Sequence, residues 1–135
     1  MSREDVEVVR GFIDAYNRRD ADAVADFLHP DLSWHTLAGA VLGTEAVHGR
    51  EAVLSFLFEE VLGALPDYYV ANEETTELRD GEVLVVGRYE GRFATSGAAV
   101  TMHTAAIYRV DAGMITFFRD FRTSQEALEA ARLEE

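Results

Sequence analysis

VLVVGRYEGRFATSGAAVTMHTAAIYRVDAGMITFFRDFR, residues 83–122, alternates with a period of two and breaks at Ser96-Gly97 and Asp111-Ala112-Gly113. Small and polar residues at such breaks are hairpin signals. The spacing predicts strands over 82–95, 99–110 and 114–123, and Asp80-Gly81 separates a further strand over 68–79. Successive side chains on a strand point to opposite faces. Val83, Val85, Gly87, Tyr89, Gly91 and Phe93 therefore share one face, and Leu84, Val86, Arg88, Glu90 and Arg92 the other. Near the end of the last strand, Asp120 has the parity of Phe118 and Arg122.

Upstream the period is helical. Val9, Phe12, Ile13 and Tyr16 recur at i, i+3, i+4 and i+7 behind a capping pair, Ser2 and Asp5. Asp20 can cap a second, shorter helix that carries Val24, Phe27 and Leu28, and His29-Pro30-Asp31 stops it. Leu32 to Thr36 alternates as a short strand, and a loop with Gly39 and Gly43 is expected over 37–48. Gly49 opens a third helix with a stripe of Val53, Phe56, Leu57 and Val61, ended by Gly63 and Pro66. Thr123 with Glu126 caps a last helix bearing Ala127, Leu128 and Ala131. Helices followed by sequential antiparallel strands give an α+β class: a curved, mostly antiparallel sheet wrapped over N-terminal helices. A length of 135 residues suits a single domain, 1–135.

Composition narrows the function. A net charge of −13, with 12 basic residues against 25 acidic ones, opposes binding to nucleic acid or to anionic membranes. No apolar run approaches the roughly 20 residues that span a bilayer. Met1 leads directly into a charged helix, which predicts no signal peptide. The chain has no cysteine, so thiolate chemistry, disulfides and cysteine-based zinc sites are excluded, and a cytoplasmic protein is expected. The four histidines show no metal-ligand spacing, and neither metal nor cofactor is expected.

Four motifs occur in order: AYNRRDADAVADFLHPDLSWH at 15–35, VHGREAVLSF at 47–56, VGRYEGRFATSG at 86–97 and YRVDAGMITFFRDFRT at 108–123. Together they resemble the nuclear transport factor 2-like superfamily and, within it, the SnoaL-like group of polyketide cyclase and ketosteroid isomerase-like folds. The resemblance implies a cone-shaped, cystatin-like α+β roll with a pocket between the concave sheet and the N-terminal helices. It also implies dimerisation through the sheet. Fold alone does not select an activity, because relatives include isomerases, cyclases, dehydratases, epoxide hydrolases and non-catalytic modules.

Aligned on these motifs, the tyrosine, base and oxyanion-hole acid of ketosteroid isomerase fall at Phe12, Thr36 and Ala106. None has the required chemistry, so steroid isomerisation by that route is rejected. The acid/base aspartate of SnoaL-like cyclases matches Asp120, while their histidine two residues earlier matches Phe118. The Asp-Arg-Asp arrangement of the epoxide hydrolases is not evident.

Asp120 is thus the catalytic candidate, either as a general acid/base or as half of an ion pair with Arg122 or another arginine. Trp34, Tyr16, Phe56, Tyr89, Thr104, Tyr108 and Phe118 are candidate ligand contacts, although each can equally be core. Tyr89 and Tyr108 bring hydroxyls that can orient a carbonyl, and Arg122 could hold an acidic ligand. His103 is expected to point outward, as are Arg88, Arg92, Arg109 and Arg119, while Glu73, Glu74, Glu77 and the end of the chain should be solvated. The expected ligand is a small, apolar or aromatic, oxygenated molecule. The expected activity is cofactor-free proton transfer of isomerase, cyclase, dehydratase or hydrolase type; the alternative is a non-catalytic ligand-binding or dimerisation module. A homodimer is expected through Leu84, Val86 and Ile107 on the outer face.

Overall fold

A computed structural model of the chain describes residues 2–37, 43 and 46–133. The Ser2 side chain of the expected cap, Gly39 of the expected loop and residues 134–135 lie outside the described residues. Helix α1 runs over Ser2–Asn17 and buries its stripe of Val9, Phe12, Ile13 and Tyr16. Helix α2 covers Ala21–Asp26, and the Asp20 carboxylate accepts the Ala23 amide at 3.1 Å, as the sequence implies. Strand β1 (Leu28–His35) and strand β2 (Ala46–His48) follow. Helix α3 starts at Arg50–Ser55, widens into a π-turn at Phe56–Val61 and closes with Leu62–Ala64. Strands β3 (Tyr69–Arg79), β4 (Glu82–Arg92), β5 (Ala99–Asp111) and β6 (Met114–Phe121) form the meander, and helix α4 (Ser124–Leu133) ends the fold.

The six strands make one unclosed, curved sheet in the order β2-β1-β6-β5-β4-β3. The expected α+β class and curved sheet are those observed. All neighbours are antiparallel except β1 and β6, which run parallel. Two local readings need correction. β1 begins at Leu28, earlier than the alternation at Leu32 suggests, because its pairing with β6 shifts register between Leu28 and Ser33. Pro30, which has no N–H to give a ladder, lies in that irregular stretch. The expected loop over 37–48 ends in β2, which is too short to show a period and pairs with Ser33–His35.

The concave face carries the main core, closed by α1 and α3. The end of α1 is tied to the far edge of the sheet. The Asn17 side-chain amide accepts the Val70 amide at 3.0 Å and donates to the Val70 carbonyl at 2.9 Å. Arg19, in the left-handed region at φ 64, donates to the Tyr68 carbonyl at 2.6 Å. Asparagine therefore acts here as a surrogate strand for the edge of β3.

The convex face has its own small core, which covers two of the three residues expected at a dimer contact, Leu84 and Ile107, and leaves Val86 partly buried. Leu84, Ala105 and Ile107 are buried within the single chain by Ala127 and Ala131 of α4. Glu82, only 3 % exposed, pairs with Arg79 at 2.8 Å and Arg109 at 3.5 Å, and Arg79 also donates to the Ala131 carbonyl at 2.6 Å. The apolar stripe on this face was legible, but its cover is α4. His103, Arg92 and Arg119 are exposed on this face, and Arg88 pairs with Glu73 and Glu90. Glu77 departs from the solvated expectation, since its Oε2 is enclosed without a partner.

Gly87 marks the closest backbone approach. A Cβ there would sit 2.0 Å from the Ala71 carbonyl oxygen of β3, a backbone atom that cannot yield without breaking the ladder. Gly87→Ala should lower stability by about 3 kcal/mol, the upper range for inserted core volume, measured by urea denaturation.

Candidate active site

A narrow cavity of about 40 Å³ lies between α1, α3 and the concave sheet. That is room for a few water molecules, well below the roughly 300–1,000 Å³ of small-molecule pockets, so a larger ligand requires the wall side chains to part. One wall is the face of α1, with Phe12, Ile13 and Tyr16, and α3 adds Phe56, Leu57 and Val61. The strands contribute Trp34 and Thr36 from β1, Val70 from β3, Tyr89 from β4, Tyr108 from β5 and Phe118 from β6, with Tyr68 just before β3.

The aromatic packing is specific. Trp34 and Phe118 come from neighbouring paired positions on β1 and β6 and stack at 3.9 Å with 16° between their planes. Tyr108 meets Phe118 edge-on at 4.9 Å, and Phe12 meets Trp34 edge-on at 5.6 Å. Offset stacking and edge-to-face contacts suit the ring quadrupoles. The Tyr16 hydroxyl donates to the Leu57 carbonyl at 2.9 Å, within the π-turn of α3. A helix locally wound in this way has backbone carbonyls that leave the α-helical pattern, and π-turns are frequent at functional sites.

Asp120 lies outside the cavity wall and is joined to it through Tyr89. It lies opposite Ala106 on the concave face and is 4 % exposed. Its Oδ1 accepts the Leu37 amide at 2.6 Å, and its Oδ2 accepts the Tyr89 hydroxyl at 2.8 Å. Tyr89 thus joins the carboxylate to the cavity, since its ring forms part of the wall. On its other side Asp120 borders a polar recess with His35, Arg122 and Glu126. Burial pushes the Asp120 carboxyl from 3.8 up to about 6, against the opposing pull of the Leu37 and Tyr89 hydrogen bonds. Burial also raises Tyr89 well above the ordinary 10.0, and the Asp120 charge adds to this. His35 is lowered, first by desolvation and then by Arg119.

The structure brings together Asp120, Tyr89, Tyr108, Trp34, Phe118, Tyr16 and Phe56. It separates the other two candidates. Thr104 is buried opposite Gly87 but is not part of the cavity wall. Parity puts Arg122 on the cavity side, but β6 ends at Phe121 and the alternation does not extend to it. The Arg122 side chain is exposed, and its amide donates to Glu126 Oε1 at 3.2 Å within the cap of α4. No ion pair joins Asp120 to an arginine among the described residues, so the ion-pair alternative for Asp120 does not hold there. Sequence reading missed Tyr68 and Val70 as wall residues. The available signal was their position at the start of a predicted strand two residues apart, which puts both on one face. Among the described residues no three His, Asp or Glu side chains converge as metal ligands would, and no helix is long and apolar enough to cross a membrane.

Residues 9–118 match the model of the SnoaL-like domain family, and the chain belongs to that family. Its fold is nuclear transport factor 2-like. One similar solved structure is a nuclear transport factor 2-like protein of unknown function from Burkholderia pseudomallei, 23% identical over 93% of this chain and 95% of that one, with a TM-score of 0.76. A second is TerC co-crystallised with polyporic acid, 20% identical over 93% of this chain and 96% of the other, also at 0.76. A third is an LEH-like epoxide hydrolase of Mycobacterium tuberculosis, 20% identical over 95% and 84%, at 0.75. At these identities the likeness is one of fold. The curated proteins give no match.

The raised Asp120 value has a stability consequence of definite sign. Below pH about 3.8 the carboxyl is neutral in both folded and unfolded chains. Between about 3.8 and 6 the unfolded chain releases this proton first, so the folded state loses stability as pH rises. The loss is complete above about 6 and amounts to about 3 kcal/mol. Asp120→Asn removes the titration, and an amide can still serve both neighbours, because the Tyr89 oxygen can accept. The variant should therefore melt higher than the parent near pH 8, with the gap narrowing toward about pH 5, followed by circular dichroism.

Proposed function

We propose that this protein binds a small, largely apolar, oxygenated molecule in the cavity and moves a proton on it, with Asp120 as the acid/base group and Tyr89 as its link to the ligand. The carrying observation is a buried carboxylate whose hydrogen-bonded tyrosine is part of the cavity wall. A carboxylate at about 6 is ionised but readily protonated near neutral pH, which suits general acid–base work. An O–H bond of the ligand, or a C–H bond beside its carbonyl, breaks. Its proton passes to Tyr89 Oη while the Tyr89 proton passes to Asp120 Oδ2. Reversal of the same two transfers returns the proton to another atom of the ligand. Isomerisation, cyclisation and dehydration all use such a step. Arg122, at the surface, has no part in it, so the orienting role considered for it passes to tyrosine hydroxyls in the wall.

The family and fold support a small-molecule site, and TerC, a structural relative, was crystallised with polyporic acid. A second reading has its own observation: Asp120 does not itself form part of the cavity wall. On that reading the cavity binds a ligand without transforming it.

Hydrogen–deuterium exchange at the carbon beside the carbonyl of 2-indanone, followed by NMR, separates the two. Acid–base chemistry predicts protein-dependent exchange that rises with pH to a plateau, with its midpoint near pH 6. Asp120→Asn should slow it by about a hundredfold or more, and Tyr89→Phe should slow it as well. Exchange that Asp120→Asn leaves unchanged would remove Asp120 from the mechanism.

A further inference from the structure

The polar recess beside Asp120 measures about 520 Å³, against about 40 Å³ for the apolar cavity. It lies where the β1–β6 ladder stops. β1 ends at His35, opposite Arg119, and β6 ends at Phe121. Beyond the ladder, the Leu37 amide donates to the Asp120 carboxylate instead of to a strand. Buried Thr36 lines both spaces, so they lie back to back across it. The charged groups of the recess are unevenly satisfied. Both Asp120 oxygens accept hydrogen bonds, and Glu126 Oε1 accepts the Arg122 amide. The Arg119 and Arg122 guanidiniums have no carboxylate partner among the described residues, although the chain holds 25 acids and Arg10, Arg18, Arg79, Arg88 and Arg109 are each paired. The Arg119 guanidinium instead lies 5.0 Å from the centre of the Phe121 ring, which also lines the recess. The two acids balance the two cations in net charge, but only the cations have donors to spare.

We propose that this recess is a second ligand site, outside the apolar cavity, in which Arg119 and Arg122 hold the carboxylate of a small organic acid while Leu37 and Phe121 meet its apolar body. The volume falls within the roughly 300–1,000 Å³ of small-molecule pockets, so such a ligand enters without parting the wall. Guanidinium groups present planar, paired donors that match the two oxygens of a carboxylate. A single solvated arginine holds an anion weakly. Here two act on one recess, one of them set against a ring, and an apolar wall adds contact area. His35 adds no competing charge near neutral pH, because desolvation first and Arg119 second lower its proton affinity. The site does not require Asp120 to transfer a proton.

The test titrates isotope-labelled protein with phenylacetate and with phenylacetamide, its neutral counterpart of the same shape, followed by amide NMR. Phenylacetate should shift the amides of Thr36, Leu37, Arg119 and Arg122, and should bind about tenfold or more tightly than phenylacetamide. The double variant Arg119→Gln with Arg122→Gln should weaken phenylacetate about tenfold or more and leave phenylacetamide unchanged. Both arginines are exposed, and the variant's own spectrum reports whether its fold is intact. The comparison of acid with amide on the parent protein needs no variant. No saturable shift at millimolar phenylacetate, equal affinity for the amide, shifts centred on cavity residues such as Phe12 and Tyr108, or undiminished binding by the double variant would each overturn the site. The exchange experiment with 2-indanone keeps these failures distinct from that of the acid–base reading. Phenylacetate held in the recess of a protein that exchanges no 2-indanone proton leaves the site standing and removes the chemistry. Exchange without phenylacetate binding does the reverse.

Discussion

Helix α1 lying across the concave face of the sheet is the contact on which the remaining structure depends. Its Phe12 packs edge-on against Trp34 and Tyr108, and its Tyr16 hydroxyl holds the π-turn of α3 through Leu57. At its end, Asn17 and Arg19 hold Val70 and Tyr68 by their backbone groups. One helix therefore fixes three walls of the cavity: the strand floor, the α3 side and the β3 edge. Polar bonds are used where α1 meets backbone, and apolar contacts where it meets side chains. That division lets the cavity remain apolar while its margins stay rigid.

Against this apolar frame, Asp120 is a costly group. A carboxylate removed from water loses hydration, and two hydrogen bonds offset only part of the loss. The remaining penalty appears as a proton affinity higher than that of an ordinary aspartate. A neutral residue at this position would give a more stable fold, so a reason for an acid here must be sought outside stability. The same burial that weakens the fold brings the carboxyl close to neutral pH, where proton transfer in both directions is fastest.

The hairpins, helices and caps were legible because period, turn residues and capping residues agreed locally, as at Asp20 with Ala23 and Thr123 with Glu126. The concave placement of Tyr89, Tyr108, Phe118 and Asp120 followed from strand parity together with the family resemblance. Parity failed at Arg122 because a strand ends where its pairing ends: the legible cap at Thr123 bounds the strand from beyond, but it does not show that pairing already stops at Phe121. β2 was hidden because three residues cannot display a period. The cover of Leu84 and Ile107 by α4 is a long-range packing choice, and a sequence pattern shows only that an apolar stripe needs a cover. The partners of Asp120 were hidden for the same reason: Leu37 is 83 residues away and Tyr89 is 31.

The claim that Asp120 is a buried proton carrier coupled to Tyr89 is tested most directly by carbon NMR titration of its side-chain carboxyl. The account predicts a midpoint near 6 in the parent protein, and a higher one in Tyr89→Phe, where a hydrogen bond that favours the charged form is lost. A midpoint near 4, unmoved by that substitution, would contradict it.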